Sequence, residues 1–134
     1  MENCLFCKII KGEIPSYKIY EDEYTYAFLD ISKDVDGHTL VVPKKHFNNT
    51  LDCDEVTLTH IMKTVQLISN HYINNCGYSG VNIYNNNGSS AQQAIMHTHY
   101  HIIPRKDNDN FDIFTKLNES HYSLDEIHTK LKIN

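Results

Sequence analysis

His97, His99 and His101 stand at every second position of the run His97-Thr98-His99-Tyr100-His101-Ile102-Ile103. In an extended strand successive side chains point to opposite faces, so this spacing sends all three imidazoles out on one side. Neighbouring members are then roughly 6.5–7 Å apart at Cα. Imidazole can act as nucleophile, proton carrier or metal ligand near neutral pH. Three readings follow. The alternation could be purely structural. A His-x-His pair could put two nitrogens on one metal ion. Or one histidine attacks phosphorus while its neighbours move protons and hold the phosphate. Upstream lies a polar loop, Asn85-Asn86-Asn87-Gly88-Ser89-Ser90-Ala91-Gln92-Gln93, rich in neutral donors suited to phosphate oxygens. No carboxylate stands near the histidine run, which a catalytic metal would favour. Phosphate transfer is the leading reading.

A second constellation is Cys4-Leu5-Phe6-Cys7. By itself it fits half a zinc knuckle, a redox pair or two buried thiols. Cys53 and Cys76 lack metal-like spacing and read as ordinary thiols. The remaining histidines also read as bland: His38 as structural, and His60, His71, His121 and His128 as solvent-facing.

The rest of the chain must position these groups. A length of 134 residues suits one domain with a real core. The formal net charge is −5, and Lys44-Lys45 is the only basic run of note. That argues against a nucleic-acid polymer as partner, since phosphate backbones demand clustered Lys and Arg. A small phosphorylated ligand remains compatible, because backbone N–H groups bind phosphate without net positive charge. Met1-Glu2-Asn3-Cys4 lacks the pattern of an export signal, and no apolar run reaches membrane-spanning length. The expectation is a cytoplasmic protein with free cysteines and no membrane partner.

Periodicity predicts a short helix over Cys4–Lys11, stopped by Gly12. A hairpin follows, with strands over Tyr17–Tyr20 and Tyr24–Leu29. Another strand is expected over His38–Val42 after the Asp36-Gly37 turn. Apolar residues at 58, 61, 62, 65, 68 and 72 predict a long helix over Val56–Tyr72, with Asp54 as N-cap. Strands over Val81–Tyr84 and Ile95–Ile103 form a second antiparallel pair. Ser123-x-x-Glu126 is a capping box for a short C-terminal helix. Together these give an α+β fold on an antiparallel sheet with one long helix.

The histidine run, with its two trailing apolar residues, resembles the signature of the histidine-triad (HIT) superfamily. Further blocks resemble HIT segments in family order: Ile14-Pro15, Tyr20-Glu21-Asp22, Ala27-Phe28-Leu29-Asp30-Ile31, Gly37-His38-Thr39-Leu40-Val41-Val42-Pro43 and His46. The resemblance spans roughly residues 3–106 of a single domain over 1–134, and 107–134 reads as a C-terminal extension.

The resemblance implies a phosphoramidase-like nucleotide hydrolase or transferase. His99 is then the nucleophile toward the α-phosphorus of a purine nucleoside phosphoramidate or related conjugate. A nucleotidyl-histidine forms and water releases the nucleoside monophosphate. His101 would bind a non-bridging oxygen, and any of His97, His99 or His101 could carry the proton for the leaving group. Asp30 matches the carboxylate that takes the ribose hydroxyls. Phe6, Ile9, Phe28 and Ile31 match the positions around the purine. Asn86 matches an amide on the phosphate or ribose, and Gln93 and Ala94 fall on substrate-binding positions. Structural zinc on Cys4, Cys7, His46 and His97 is implied, with no organic cofactor, as is a homodimer built by joining two sheets.

Two departures stand out. Gln92 occupies a position where relatives commonly have glycine, and Ala94 one that often carries a hydroxyl. They keep alive a nucleotide-binding regulator with weak catalysis. A dinucleoside polyphosphate hydrolase is the alternative within the same chemistry, with Lys44, Lys45, Arg105 and Lys106 as its only nearby cations.

Overall fold

The computed structural model describes residues 3–32, 34–113 and 119–133. Met1 and Glu2, part of the segment read for an export signal, lie outside the described residues. In chain order the elements are α1 (Leu5–Ile10), β1 (Lys18–Glu21), β2 (Thr25–Leu29), β3 (Thr39–Pro43), α2 (Glu55–Asn75), β4 (Gly80–Tyr84), β5 (Tyr100–Arg105) and α3 (Leu124–Leu131). The five strands form one antiparallel sheet in the order β1-β2-β3-β5-β4. The two expected hairpins therefore join through β3 and β5, with Leu40 opposite His101 and Val41 opposite Tyr100.

Local chemistry explains the turns and caps. The Asp22 carboxylate accepts from the backbone N–H groups of Tyr24 and Thr25 at 2.9 and 2.8 Å, closing the β1–β2 turn. Cys4 caps α1 through its sulfur, which accepts the Cys7 N–H at 3.3 Å. Asp54 caps α2 by accepting the Thr57 N–H, as expected. At α3 the N-cap half of the expected capping box is present: Ser123 Oγ accepts the Glu126 N–H, and the Ser123 hydroxyl rather than its backbone N–H donates to the Glu126 carboxylate.

The sheet buries both faces. On one, Ala27, Val41, Tyr100 and Ile102 pack against Ile61, Val65, Ile68 and Tyr72 of α2. Hydroxyl pairs cross this layer: Thr25 with Thr64 and Thr39 with Tyr72, both at 2.7 Å. On the other face, Tyr26, Phe28, Leu40 and Val42 pack with Phe6 and Ile9 of α1. The buried stripe of α2 runs through Thr57 and Thr64 and leaves Met62 exposed, although Met62 belonged to the predicted apolar face. Thr64, whose hydroxyl pairs with Thr25 of β2, and Thr57, bonded to the Asp54 cap, occupy the stripe instead.

Gly37 fixes the entry to β3, with φ +83°. A Cβ there would stand 2.9 Å from Pro104 Cγ. Gly12 has nearly the same φ of +81° and open space around it. Gly12→Ala is therefore expected to cost only the left-handed penalty, about 1–2 kcal/mol. Gly37→Ala is expected to cost about 1–3 kcal/mol more, through overlap with Pro104. Urea unfolding of the two variants checks this, and equal losses would remove the packing argument.

Candidate active site

The expected strand over Ile95–Ile103 begins later, at Tyr100, so only His101 lies in a paired strand. The reason is local. Asn85 Nδ2 donates to the His99 carbonyl at 2.8 Å, where a β4 partner would otherwise sit. The Thr98 N–H instead donates to the Phe47 carbonyl at 2.8 Å. Alternation nevertheless persists through the unpaired residues. Tyr100 and Ile102 face α2, whereas the His97 and His99 rings meet Phe6 edge-on on the α1 side. His99 and His101 have ring centroids 4.9 Å apart.

Backbone acceptors set the tautomers. His99 Nδ1 lies 2.8 Å from the His97 carbonyl, which can only accept. The proton is thus on Nδ1, and Nε2 carries the free lone pair. His97 Nε2 donates to the Pro43 carbonyl at 2.8 Å, leaving its Nδ1 free. Burial holds all three imidazoles toward the neutral form. His97 and His101 are pushed down to about 4, and His99 is lowered although its bond to the His97 carbonyl opposes the shift. A neutral imidazole with its far nitrogen anchored is a competent nucleophile near pH 7.

The free His97 Nδ1 faces a second group. It lies 3.3 Å from Cys4 Sγ, 3.5 Å from Cys7 Sγ and 3.2 Å from His46 Nδ1, while Cys7 Sγ and His46 Nδ1 are 3.5 Å apart. Tetrahedral zinc with ordinary bond lengths has edges of about 3.3 Å between nitrogens and about 3.5 Å between nitrogen and sulfur. These four separations fit that figure, and all four donor atoms lie within 4.8 Å of one another. The outer nitrogens of both imidazoles are anchored, His97 on Pro43 and His46 on the Asn48 side-chain oxygen at 3.3 Å. Burial and the neighbouring Cys4 sulfur push the Cys7 thiol well up, so two thiolates here call for a cation.

Residues 11–108 match the model of the HIT domain family. The chain belongs to the HIT family. It is 43% identical over 138 residues to an uncharacterized HIT-like protein of Borreliella burgdorferi, covering 100% of this chain and 99% of that one. It is 41% identical over 104 residues to the adenosine 5'-monophosphoramidase HNT1 of Saccharomyces cerevisiae, covering 78% of this chain and 63% of that one. The crystal structure of a zinc-bound histidine triad family protein from Mycobacterium smegmatis is similar at a TM-score of 0.79 and 33% identity, covering 87% of this chain and 85% of that one. The chain lies on the phosphoramidase-like branch of the family.

The other predicted HIT-site residues divide by environment. Phe6, Ile9 and Phe28 are buried in the α1 face of the core, whereas Ile31 is 79% exposed. The Asp30 carboxylate is half-buried, accepts the Ser32 N–H at 2.8 Å and lies 3.8 Å from His38 Nε2. Asn85 and Asn87 are spent on the loop, where their side-chain oxygens accept from the Thr50 hydroxyl and the Thr50 N–H. Asn86 instead lines a recess of about 430 Å³ with Tyr84 and Gln92. The Gln93 side chain is buried and anchors the loop, donating to the Asn48 and Ile95 carbonyls and accepting the Gly88 N–H. Ala94 is exposed beside Cys4 and His46. Gln92 adopts φ +67°, the conformation that glycine takes most easily.

His38 is the residue that sequence reasoning undervalued. It is buried, and its Nε2 lies 2.9 Å from His101 Nδ1 while its Nδ1 lies 2.9 Å from Asp34. No local pattern signals this, because only the pairing of β3 with β5 brings His38 beside His101. Of the four nearby cations, Lys44 pairs with Glu21 at 2.8 Å and Arg105 is held by Asp109 and Asn82. Lys45 and Lys106 lie over the rings of Phe47 and Tyr78.

A pH dependence follows from the neutral histidines. His97 and His101 have folded values near 4 against an unfolded value of 6.5, so the unfolded chain binds more protons between those limits. Their contribution is present above pH 6.5 and is lost as pH falls toward 4. The slope is up to about 1.4 kcal/mol per pH unit for each group. Urea midpoints of metal-free protein between pH 7 and 4 should fall accordingly, and His101→Gln should flatten the curve.

Proposed function

We propose that this HIT protein hydrolyses purine nucleoside phosphoramidates or related nucleotidyl conjugates at the α-phosphate. The observation that carries the reading is the bond from His99 Nδ1–H to the His97 carbonyl, which leaves Nε2 as the attacking lone pair. His99 Nε2 forms a bond to phosphorus as the bond from phosphorus to the leaving nitrogen breaks. The departing amine takes a proton from His99 or His101, and the water that attacks next returns one to that histidine. Water then attacks phosphorus, the nucleoside monophosphate leaves, and His99 returns to its starting state. His101 holds a non-bridging oxygen, Asp30 takes the ribose hydroxyls, and Asn86 contacts the phosphate or ribose. Ile31 supplies an open apolar face for the base, with Phe6, Ile9 and Phe28 supporting it from the core. The similarity to the yeast adenosine 5'-monophosphoramidase supports this substrate class.

Zinc on Cys4, Cys7, His46 and His97 has no open position in this reading and serves structure. It ties α1 to the segment whose carbonyl holds His99. The family's two-sheet homodimer is part of the same proposal, with β4 as a sheet edge available for pairing. Among the described residues no helix is long and apolar enough to cross a membrane.

Incubation with adenosine 5′-phosphoramidate and, separately, a dinucleoside polyphosphate tests the reading. Turnover of the first is expected, with His99→Gly reducing it at least roughly 10³-fold. Preferential turnover of the second, or nucleotide binding with turnover of neither, would replace it. For the metal, one zinc per chain is expected. Chelation or Cys7→Ser should lower the thermal midpoint by roughly 10 °C. Metal-free protein with the same midpoint would remove the structural zinc.

A further inference from the structure

Asp34 stands outside every motif in the sequence, yet the fold brings its carboxylate to the rear of the histidine site. Its two oxygens lie 3.0 and 2.9 Å from His38 Nδ1. His38 is buried, and its other nitrogen lies 2.9 Å from His101 Nδ1. Asp30 approaches the same His38 Nε2 at 3.8 Å. Among the described residues, the other polar rings at this pair are His99, 4.9 Å from His101, and Tyr84, stacked on His101 at 4.1 Å. Asp34, His38 and His101 thus form a line from solvent, where Asp34 is 48% exposed, to the reacting face.

Hydrogen-bond accounting along this line selects one arrangement. An ionised carboxylate only accepts, so His38 Nδ1 carries a proton toward Asp34. To hold a phosphate oxygen, His101 must present an N–H at Nε2, because a lone pair there would face another lone pair. Burial keeps His101 neutral, so it has one proton, and with Nε2 protonated its Nδ1 must accept. The donor to that nitrogen is His38 Nε2–H. His38 then carries protons on both nitrogens and a positive charge, which Asp34 and Asp30 balance.

We infer that Asp34 is a positioning residue that holds His38 as an imidazolium and so obliges neutral His101 to direct its Nε2–H at the substrate phosphate. This rests on the function proposed above for the role of His101, and it assigns a task to two residues outside the triad. The positive charge opposite the phosphate sits one ring back from the substrate. Neutral His101 transmits it as a hydrogen bond.

The test uses the full chain with ¹⁵N-labelled imidazoles and three proteins: wild type, Asp34→Asn and Asp34→Glu. Asparagine keeps an acceptor for His38 but removes the charge; glutamate keeps the charge. At pH 7, free and with AMP, wild type is expected to show both His38 nitrogens protonated and His101 protonated at Nε2 only. Asp34→Asn should convert one His38 nitrogen to the unprotonated form. Its kcat on adenosine 5′-phosphoramidate should fall roughly 10- to 100-fold, with KM changed less than about threefold. Asp34→Glu should restore most of the rate. A neutral His38 in wild type, an unchanged kcat in Asp34→Asn, or equal losses in both variants would each overturn the assignment. Should wild type fail to turn over the phosphoramidate, the proposed function falls, while the nitrogen pattern still decides whether Asp34 charges His38.

Discussion

His97 is tied down at three points, and the site hangs from them. Its Nε2–H donates to the Pro43 carbonyl at the end of β3, its Nδ1 faces Cys4, Cys7 and His46, and its own carbonyl accepts from His99. The first bond fixes the tautomer, so the second nitrogen is available to a cation. The third bond fixes His99 in turn. A ring that could rotate at His97 would leave the backbone at that residue less constrained, and with it the orientation of the nucleophile. The cysteine–histidine cluster and the triad are therefore one mechanical unit, sharing His97 between them.

The sheet makes this unit possible by assigning its two faces to different tasks. On the α2 side, interlocking aliphatic side chains and threonine hydroxyls give a rigid back layer. On the α1 side, the layer is thinner, and Phe6 meets His97 and His99 edge-on. Desolvation by that layer keeps the imidazoles uncharged, which favours nucleophilicity but makes protonation unfavourable. Positive charge has to come from somewhere other than the triad. The lysines and arginine nearest in sequence are paired with carboxylates or laid over aromatic rings, so they do not supply it.

Most of the architecture was legible because its signals are local. Asp54, Ser123 and Gly12 mark helix ends by side-chain chemistry or by a left-handed residue, and each does so where the sequence indicates. The alternation of His97, His99 and His101 was also legible, although for a different reason than a regular strand. Facing depends on extended backbone dihedrals, whereas strand membership depends on a partner, and Asn85 takes the partner's place. The order of the strands was not legible. Joining β3 to β5 places His38 beside His101 across 63 residues of sequence, a pairing no local pattern encodes. Gln93 shows the same limit from the other side. Its type suggested phosphate contact, but its donors and acceptor are turned inward to hold the loop.

Gln92 joins these threads. Its backbone takes the left-handed conformation that glycine takes more easily, and that costs about 1–2 kcal/mol for a residue with a Cβ. The loop tolerates it because Gln93, the next residue, anchors the turn with three bonds shorter than 3.0 Å. The backbone path is thereby kept while a long polar side chain replaces open space. That side chain lines the recess shared with Asn86 and Tyr84, and Tyr84 stacks on His101. A departure from the family pattern at this position thus leaves the nucleophile's supports untouched and alters the wall next to them. Its physical consequence falls on what can approach His101, rather than on the bonds that orient His99.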